Sequence, residues 1–245
     1  MPDPHTGFGR LTGTTAVITG ASRGIGLAIA RRLHAAGVHV AMIARTAAAL
    51  RAETDSLGPR AVPIACDLAN GAAVANAVVT ITETFGGAPD VLVNSAGAFA
   101  LTPVDAIAPD DFAAALDINL VAPLRLIHAF LAPMKARRAG HVVTIGSVAD
   151  RAIFPGNASY APSKYGARAL HEVLRLETRG SGVRATLVSP GQVDTPLWDA
   201  IDPDNRDGFT PRAQMLRPEA VAEAVLYALT QPADVNVDEL RLSRS

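Results

Sequence analysis

Seven short apolar runs punctuate this chain, each closed by a glycine, a polar residue or a charge, and six amphipathic stretches fill the intervals. The runs cover 14–20, 39–44, 61–66, 90–97, 141–145, 183–191 and 235–242. Most are apolar at consecutive positions, the pattern of strands buried on both faces. Positions 27–37, 46–57, 72–85, 109–138, 158–180 and 218–230 repeat apolar residues at helical spacing. Strand and helix alternate throughout. The expected architecture is therefore α/β: a doubly wound, mainly parallel seven-stranded sheet with helices on both faces. The 109–138 stretch is apolar on more than one side, which predicts burial. It carries Asn119 four residues before Pro123. A proline has no N–H for the carbonyl four residues back, so a kink is expected, either an ordinary one or one whose freed carbonyl holds a water near Lys164.

Length and charge narrow the function. At 245 residues the chain fits one domain, 1–245, and is short for two. A net charge of −1 with 18% charged residues leaves no basic cluster for nucleic acid or an anionic membrane. The single Cys66 excludes an internal disulfide. The leader 1–10 is polar and broken by Pro and Gly, and no later run is expected to approach the length of a membrane span. A cytoplasmic protein working on small molecules is expected. The six histidines and one cysteine show no ligand spacing, so no metal is expected.

The chemistry concentrates in GSVADRAIFPGNASYAPSK, 146–164. Ser147 follows the 141–145 strand, at the carboxyl edge where open α/β sheets place their sites. Tyr160 and Lys164 are four apart, so a helix brings their Cβ atoms to about 5–6 Å. Free tyrosine, with a pKa of about 10, is a poor proton donor near neutrality. An ammonium roughly 6 Å away at an effective dielectric near 20 favours the phenolate by about 3 kcal/mol, or about two pKa units. Of the three tyrosines, neither Tyr165 nor Tyr227 has such a lysine. Ser147 is expected to hold a substrate oxygen.

Whether that pair has a partner cofactor depends on the other strand ends. The first strand runs into ASRGIG, where Gly20, Gly24 and Gly26 give a tight turn, a close approach to phosphate and close helix packing. A phosphate would sit on the following helix N-terminus. The second strand ends at Arg45 where an NAD site usually offers a carboxylate, and Arg45 with Arg23 suits a 2′-phosphate, favouring NADP(H) over NAD(H). Asp67 either reaches the adenine edge or caps the next helix. Asn94, Ala96 and Gly97 end the fourth strand, their small members permitting close approach. Pro190 and Gly191 break the sixth and are expected to turn the Val193 backbone and the Thr195 hydroxyl toward a nicotinamide carboxamide.

With TGASRGIG, NSAG, Asn119, Ser147, the Tyr160/Lys164 pair and PGQVDTP in this order, the chain resembles the short-chain dehydrogenase/reductase family, in its single-domain, Rossmann-type branch. The resemblance implies a tetrad of Asn119, Ser147, Tyr160 and Lys164, with Tyr160 as acid/base, Ser147 as anchor of the carbonyl or alcohol, Lys164 as ribose ligand and activator, and Asn119 positioning the water of a proton relay. It also implies a cofactor cradle that adds Ser22, Ile25 and Leu68 to the residues above. Ser95 departs mildly from the family motif. The chain lacks the glycine-rich ending of many members, so no particular tetramer geometry is carried over. The expected activity is NADPH-dependent reduction of a ketone or aldehyde, reversible as an alcohol dehydrogenase. The alternatives are mainly oxidation with NADP+ or NAD+, or a dinucleotide-binding regulator without turnover. The expected partners are a small carbonyl or alcohol compound and further copies of the chain, in a dimer or tetramer. Substrate selection is expected in Leu197 to Leu216, within a lid segment 197–217. Candidate walls are Phe99, Ile153, Phe154, Leu197, Trp198, Phe209 and Met215, favouring an apolar or aromatic body. Arg151, Arg206 and Arg212 either meet an anionic group or are solvated.

Overall fold

The computed structural model describes residues 11–245, and the leader 1–10 lies outside the described residues. All seven strands form: β1 Thr15–Thr19, β2 His39–Ala44, β3 Ala61–Ala65, β4 Val91–Asn94, β5 Gly140–Ile145, β6 Val183–Pro190 and β7 Glu239–Leu242. They make one sheet in the order β3-β2-β1-β4-β5-β6-β7, with every pairing parallel. The helices are α1 Gly24–Ala35, α2 Ala47–Leu57, α3 Gly71–Phe85, α4 Pro109–Leu116, α5 Ala122–Ala136, α6 Tyr160–Glu177 and α7 Pro218–Thr230. The chain is a single Rossmann-like domain.

Alternation along the strands divides the core in two. Ile18, Met42, Val93, Val143 and Val188 face α1 and α7, burying Ile29, Leu33, Val225 and Leu229. Val17, Ile43, Leu92, Val142 and Ala185 face the other side, against Val74 and Ile81 of α3, Leu126 and Phe130 of α5 and Leu174 of α6. Each fully buried aliphatic side chain contributes about 1.5–3 kcal/mol by leaving water. Strand order reverses between β1 and β4, and a cleft opens there beyond their carboxyl ends.

Three expectations change. The last strand is shorter than 235–242, because the Asn236 side chain takes both the Ala185 N–H and its C=O at 3.0 Å in place of a backbone ladder. The stretch beginning at 109 is a continuous helix, Pro109–Ala136, 28 residues long, and an 18-residue window within it has a mean hydropathy of 1.4, which reaches membrane-span length and composition. That corrects the expectation that no run does so. Within it, Pro123 is accommodated by one π turn at Asp117–Val121, the ladder slipping by a residue where the proline offers no donor.

Candidate active site

The glycine turn is shaped by close contacts. Gly20 and Gly24 have φ of 68° and 56°, in the left-handed region that favours glycine. A Cβ on Gly26 would lie 2.4 Å from the Gly20 carbonyl oxygen, so only glycine lets α1 begin this close to β1. A Cβ on Gly20 would lie 2.9 Å from Ala96 Cα, which draws the β4 end against the turn. Thr19, which sequence reasoning missed, fixes that approach: its Oγ1 accepts the Ser95 and Ala96 N–H groups, both at 2.9 Å. Ser22 and Ile25 are half-buried at the turn, and Arg23 and Arg45 are exposed. Ala21 N–H donates to the Ile43 carbonyl at 3.1 Å, tying the β1 end to the β2 end that precedes Arg45. Among the described residues neither guanidinium has a hydrogen-bond or ion-pair partner. Asp67 is exposed and accepts from Ala69 N–H at 3.1 Å, while Asn70 caps α3. The capping alternative for Asp67 is thereby corrected. Leu68 is buried, its carbonyl facing Arg125 Nη1 at 3.4 Å.

Asn94 is the clearest mark of a ligand site. It is buried at the end of β4, and neither atom of its amide has a partner among the described residues. An orphaned buried amide is costly to leave unpaired. Together with the glycine cradle, it matches the needs of a dinucleotide.

The proton-handling groups converge next to it. Ser147 ends β5 as the N-cap of a 3₁₀ turn, Val148–Asp150, its Oγ accepting from Ala149 N–H at 3.1 Å. Tyr160 opens α6, and Ser147 is near enough to its phenol to favour the phenolate. Lys164 is buried one turn on, its Nζ donating to the Ile145 carbonyl at 3.0 Å and lying 5.7 Å from the Tyr160 ring centroid. Asn119 sits in the π turn with its whole amide engaged. Its Oδ1 accepts from Ala98 N–H at 2.8 Å, and its Nδ2 donates to the Ala98 carbonyl and Ser163 Oγ, both at 2.9 Å. Gly97 lies between the two groups: a Cβ there would be 3.3 Å from Asn119 Oδ1 and 3.9 Å from Lys164 Nζ. Ser163 was also missed, and its Oγ donates to the Tyr160 carbonyl at 2.7 Å.

Electrostatics correct one expectation. Burial raises the Tyr160 phenol above its ordinary value, the Ser147 hydrogen bond pulls it down, and the Asp150 charge pushes it up. Burial pulls Lys164 down to about 8, against the attraction of Asp150. The sequence estimate weighed only Coulomb attraction. Desolvation, which penalises both charged forms, outweighs it here.

The segment after β6 closes the opposite side. Gly191 N–H donates to the Leu242 carbonyl at 2.8 Å, and Pro190 ends β6. Val193 is buried with its carbonyl accepting from Trp198 Nε1 at 3.1 Å. The Thr195 hydroxyl caps a 3₁₀ turn, Pro196–Trp198, by accepting from Leu197 N–H at 3.4 Å. A Cβ on Gly24 would lie 3.2 Å from the Thr195 methyl, so this segment meets the glycine turn. Phe99 meets the Tyr160 ring edge-on at 4.7 Å and the Trp198 ring at 5.2 Å, so one expected wall residue packs on the tyrosine and a second packs on the first. Of the others, Ile153 and Phe154 are exposed, Phe209 stacks with Arg206 at 4.8 Å, Leu197 is half-buried and Met215 is buried. Arg151 and Arg212 are engaged by carboxylates, which disfavours the anion-binding alternative for them.

The short chain dehydrogenase family matches residues 14–206, and the chain belongs to it. It is 38% identical over 238 residues to a glycine betaine reductase of Emericella nidulans, covering 95% of this chain but only 19% of that protein's length. It is 33% identical to an uncharacterized oxidoreductase of Staphylococcus aureus, covering 94% of this chain and 96% of that one. Among solved structures, it superposes on a metagenomic short-chain oxidoreductase in complex with NADP, with a TM-score of 0.81, 32% identity and coverage of 96% and 99%. An alcohol dehydrogenase from the archaeon Thermococcus sibiricus, complexed with 5-hydroxy-NADP, gives a TM-score of 0.82 at 30% identity, covering 95% and 96%. The chain is thus an oxidoreductase of this family.

Proposed function

We propose that the protein is an NADP(H)-dependent reductase of a ketone or aldehyde, reversible as an alcohol dehydrogenase. The observation that carries this reading is the convergence of Ser147, Tyr160 and Lys164 beside the orphaned amide of Asn94. When bound, the dinucleotide supplies the hydride. Tyr160 gives its phenolic proton to the carbonyl oxygen, and Ser147 holds that oxygen in line. Lys164, charged below about pH 8, offsets the phenolate that remains. Asn119 fixes the Ala98 backbone, and with it Gly97 beside the Lys164 ammonium.

The 2′-phosphate preference rests on Arg23 and Arg45, both free of partners among the described residues. The NADP and 5-hydroxy-NADP complexes of the two neighbours agree with it. The aromatic corner of Phe99, Tyr160 and Trp198 favours an apolar or aromatic substrate body. A second reading, a trimethylammonium compound held on aromatic faces, is favoured by that corner and by the name of the fungal relative. A cytoplasmic homo-oligomer belongs to the same proposal. The exposed apolar side chains Leu124 on α5 and Val173 and Leu176 on α6 support self-association, and light scattering tests it.

The test is titration of NADPH and NADH into wild type and Arg45→Asp, then turnover on ketones and aldehydes that include a trimethylammonium aldehyde. Tighter NADPH binding that the variant loses, with reduction of a panel member, is the expected result. Equal affinities would overturn the phosphate assignment, and tight binding without turnover on any member would favour the regulator.

A further inference from the structure

Asp150 has no role in the chemistry above, yet it is fully buried three residues after Ser147. Its Oδ2 accepts from the Ser147 backbone N–H at 3.2 Å and from the Ser189 hydroxyl at 2.5 Å, and its Oδ1 accepts from Arg151 Nε at 2.7 Å. Arg151 continues to Ser189 Oγ at 3.3 Å and pairs with Glu239 of β7. One carboxylate therefore links the carboxyl ends of β5 and β6 directly beside Ser147, and through Arg151 reaches Glu239, the first residue of β7. Gly146 makes the room: a Cβ there would lie 2.5 Å from Asp150 Oδ2.

Stability alone is a weak reason for a charge in this place, because desolvation of a buried ion pair cancels most of its attraction. The single oxygen of an amide would keep the two hydrogen bonds made to Oδ2, so those two do not need a charge. What only an anion does is act on neighbouring protons, and both members of the proton-handling pair feel it: the Asp150 charge favours the protonated form of Tyr160 and of Lys164.

Resting on the acid–base reading of Tyr160, we propose that Asp150 is a positioning residue of this site: its carboxylate pins the Ser147 turn across three strand ends and sets a fixed negative charge that keeps the proton on the Tyr160–Lys164 pair. Tyr160 is met by Lys164 from its own helix and Phe99 from the loop after β4, and acted on by Ser147 and, through its charge, by Asp150 from the turn after β5. Arg151 and Glu239 lie behind Asp150, with Arg151 as the cation that tempers its charge.

The chain has three tyrosines, so Tyr165→Phe with Tyr227→Phe leaves Tyr160 as the sole phenol. Both replaced rings are exposed. Labelling this background with 3-fluorotyrosine, whose phenol is more acidic than tyrosine's, lets 19F NMR follow Tyr160 alone as pH is raised, without any substrate. Asp150→Asn is expected to move the midpoint to lower pH by roughly half to one unit. Arg151→Gln, which uncovers the carboxylate, is expected to move it to higher pH. The proton-dependent limb of kcat/KM on the best panel substrate should follow both shifts. A midpoint unchanged by Asp150→Asn overturns the proposal, even if melting temperature and turnover fall, because a purely structural role lowers those without moving a proton. If Asp150→Asn does not fold, the Arg151→Gln midpoint decides, and no alkaline shift overturns it. Failure of the reductase reading looks different: Tyr160→Phe keeps turnover while the Tyr160 resonance still responds to Asp150.

Discussion

Along the carboxyl ends of β1, β4 and β5, the cleft is fixed by backbone approach and buried hydrogen bonds, whereas across Tyr160 the turns of segment 194–217 are cross-linked at the surface by one arginine. On the first side, Thr19 Oγ1 gathers two N–H groups, Asn119 clamps Ala98 and Lys164 is tied to the Ile145 carbonyl. On the second, Arg212 alone reaches Asp194 at 2.9 Å, the Thr195 carbonyl at 3.1 Å, Asp199 at 2.6 Å and, more distantly, Asp204 at 3.8 Å. The contrast matches the tasks proposed for them. Proton and hydride transfer need groups preorganised to within fractions of an ångström, and a surface that admits different substrates does not.

The largest expected effect is on the fixed side. Tyr160→Phe removes one oxygen from a phenol whose ring is held by Phe99 and whose helix is anchored through Ser163. Turnover should fall by about 10²–10⁴-fold, the range of lost general acid–base catalysis, with dinucleotide affinity nearly unchanged in a fluorescence titration. Retained turnover would break the assignment of chemistry to this side.

Acid should also find the fixed side first. His141 and His171 are buried, hydrogen-bonded to Thr186 at 2.8 Å and Thr144 at 2.9 Å, and burial holds them down to about 3 and about 4. Their folded values lie below the ordinary 6.5, so the unfolded chain takes up protons first. The stability that depends on them is complete above pH 6.5 and is lost as pH falls toward those values. By pH 5 the loss is about 2 kcal/mol for each. Denaturant unfolding at pH 7 and pH 5 checks it, and the double variant His141→Gln, His171→Gln should flatten the dependence.

Next in size is Gly26→Ala. Its new Cβ would lie 2.4 Å from a backbone oxygen that has no side chain to move, so α1 must shift from β1 at about 1–3 kcal/mol. A lower melting temperature together with weakened NADPH binding is expected, read by thermal melts with and without NADPH. Unchanged values for both would mean that the turn tolerates a side chain its spacing excludes.

The same contrast explains what was legible beforehand. The strands, the glycine turn and the Ser147, Tyr160 and Lys164 set follow from runs, spacing and residue type, because buried strands and one-turn helical pairs leave local signatures. The engagement of Asn119 with Ala98 and Ser163 did not, since it depends on a π turn meeting a loop that ends a strand 21 residues earlier. Asp150 was passed over because a carboxylate after a strand reads as a solvated turn residue until β6 and β7 close around it. The phenol shift was misjudged for a related reason: spacing reveals a neighbouring charge and is silent on how dry the pair is. In 197–217 the pattern is weakest of all. Its 3₁₀ turns are too short to have a period, and of seven wall candidates Phe99 packs on the tyrosine and Trp198 on Phe99.

The smallest expected effect, and the one that sharpens the comparison most, is Arg212→Ala. Exposed ion pairs are worth little to global stability because water and salt compete for both partners. The melting temperature should therefore stay within about 2 °C of wild type. The guanidinium nevertheless joins Asp194 and Thr195, beside the glycine turn, to Asp199, just past Trp198, so its loss frees the indole that meets Phe99. KM for the best panel substrate should rise roughly three- to ten-fold with kcat little changed, since the proton-handling side is untouched. Raising salt should reproduce part of that rise in wild type and none in the variant. A fall in kcat to match the rise in KM would show the two sides to be mechanically coupled, and the division of labour drawn between them would not hold.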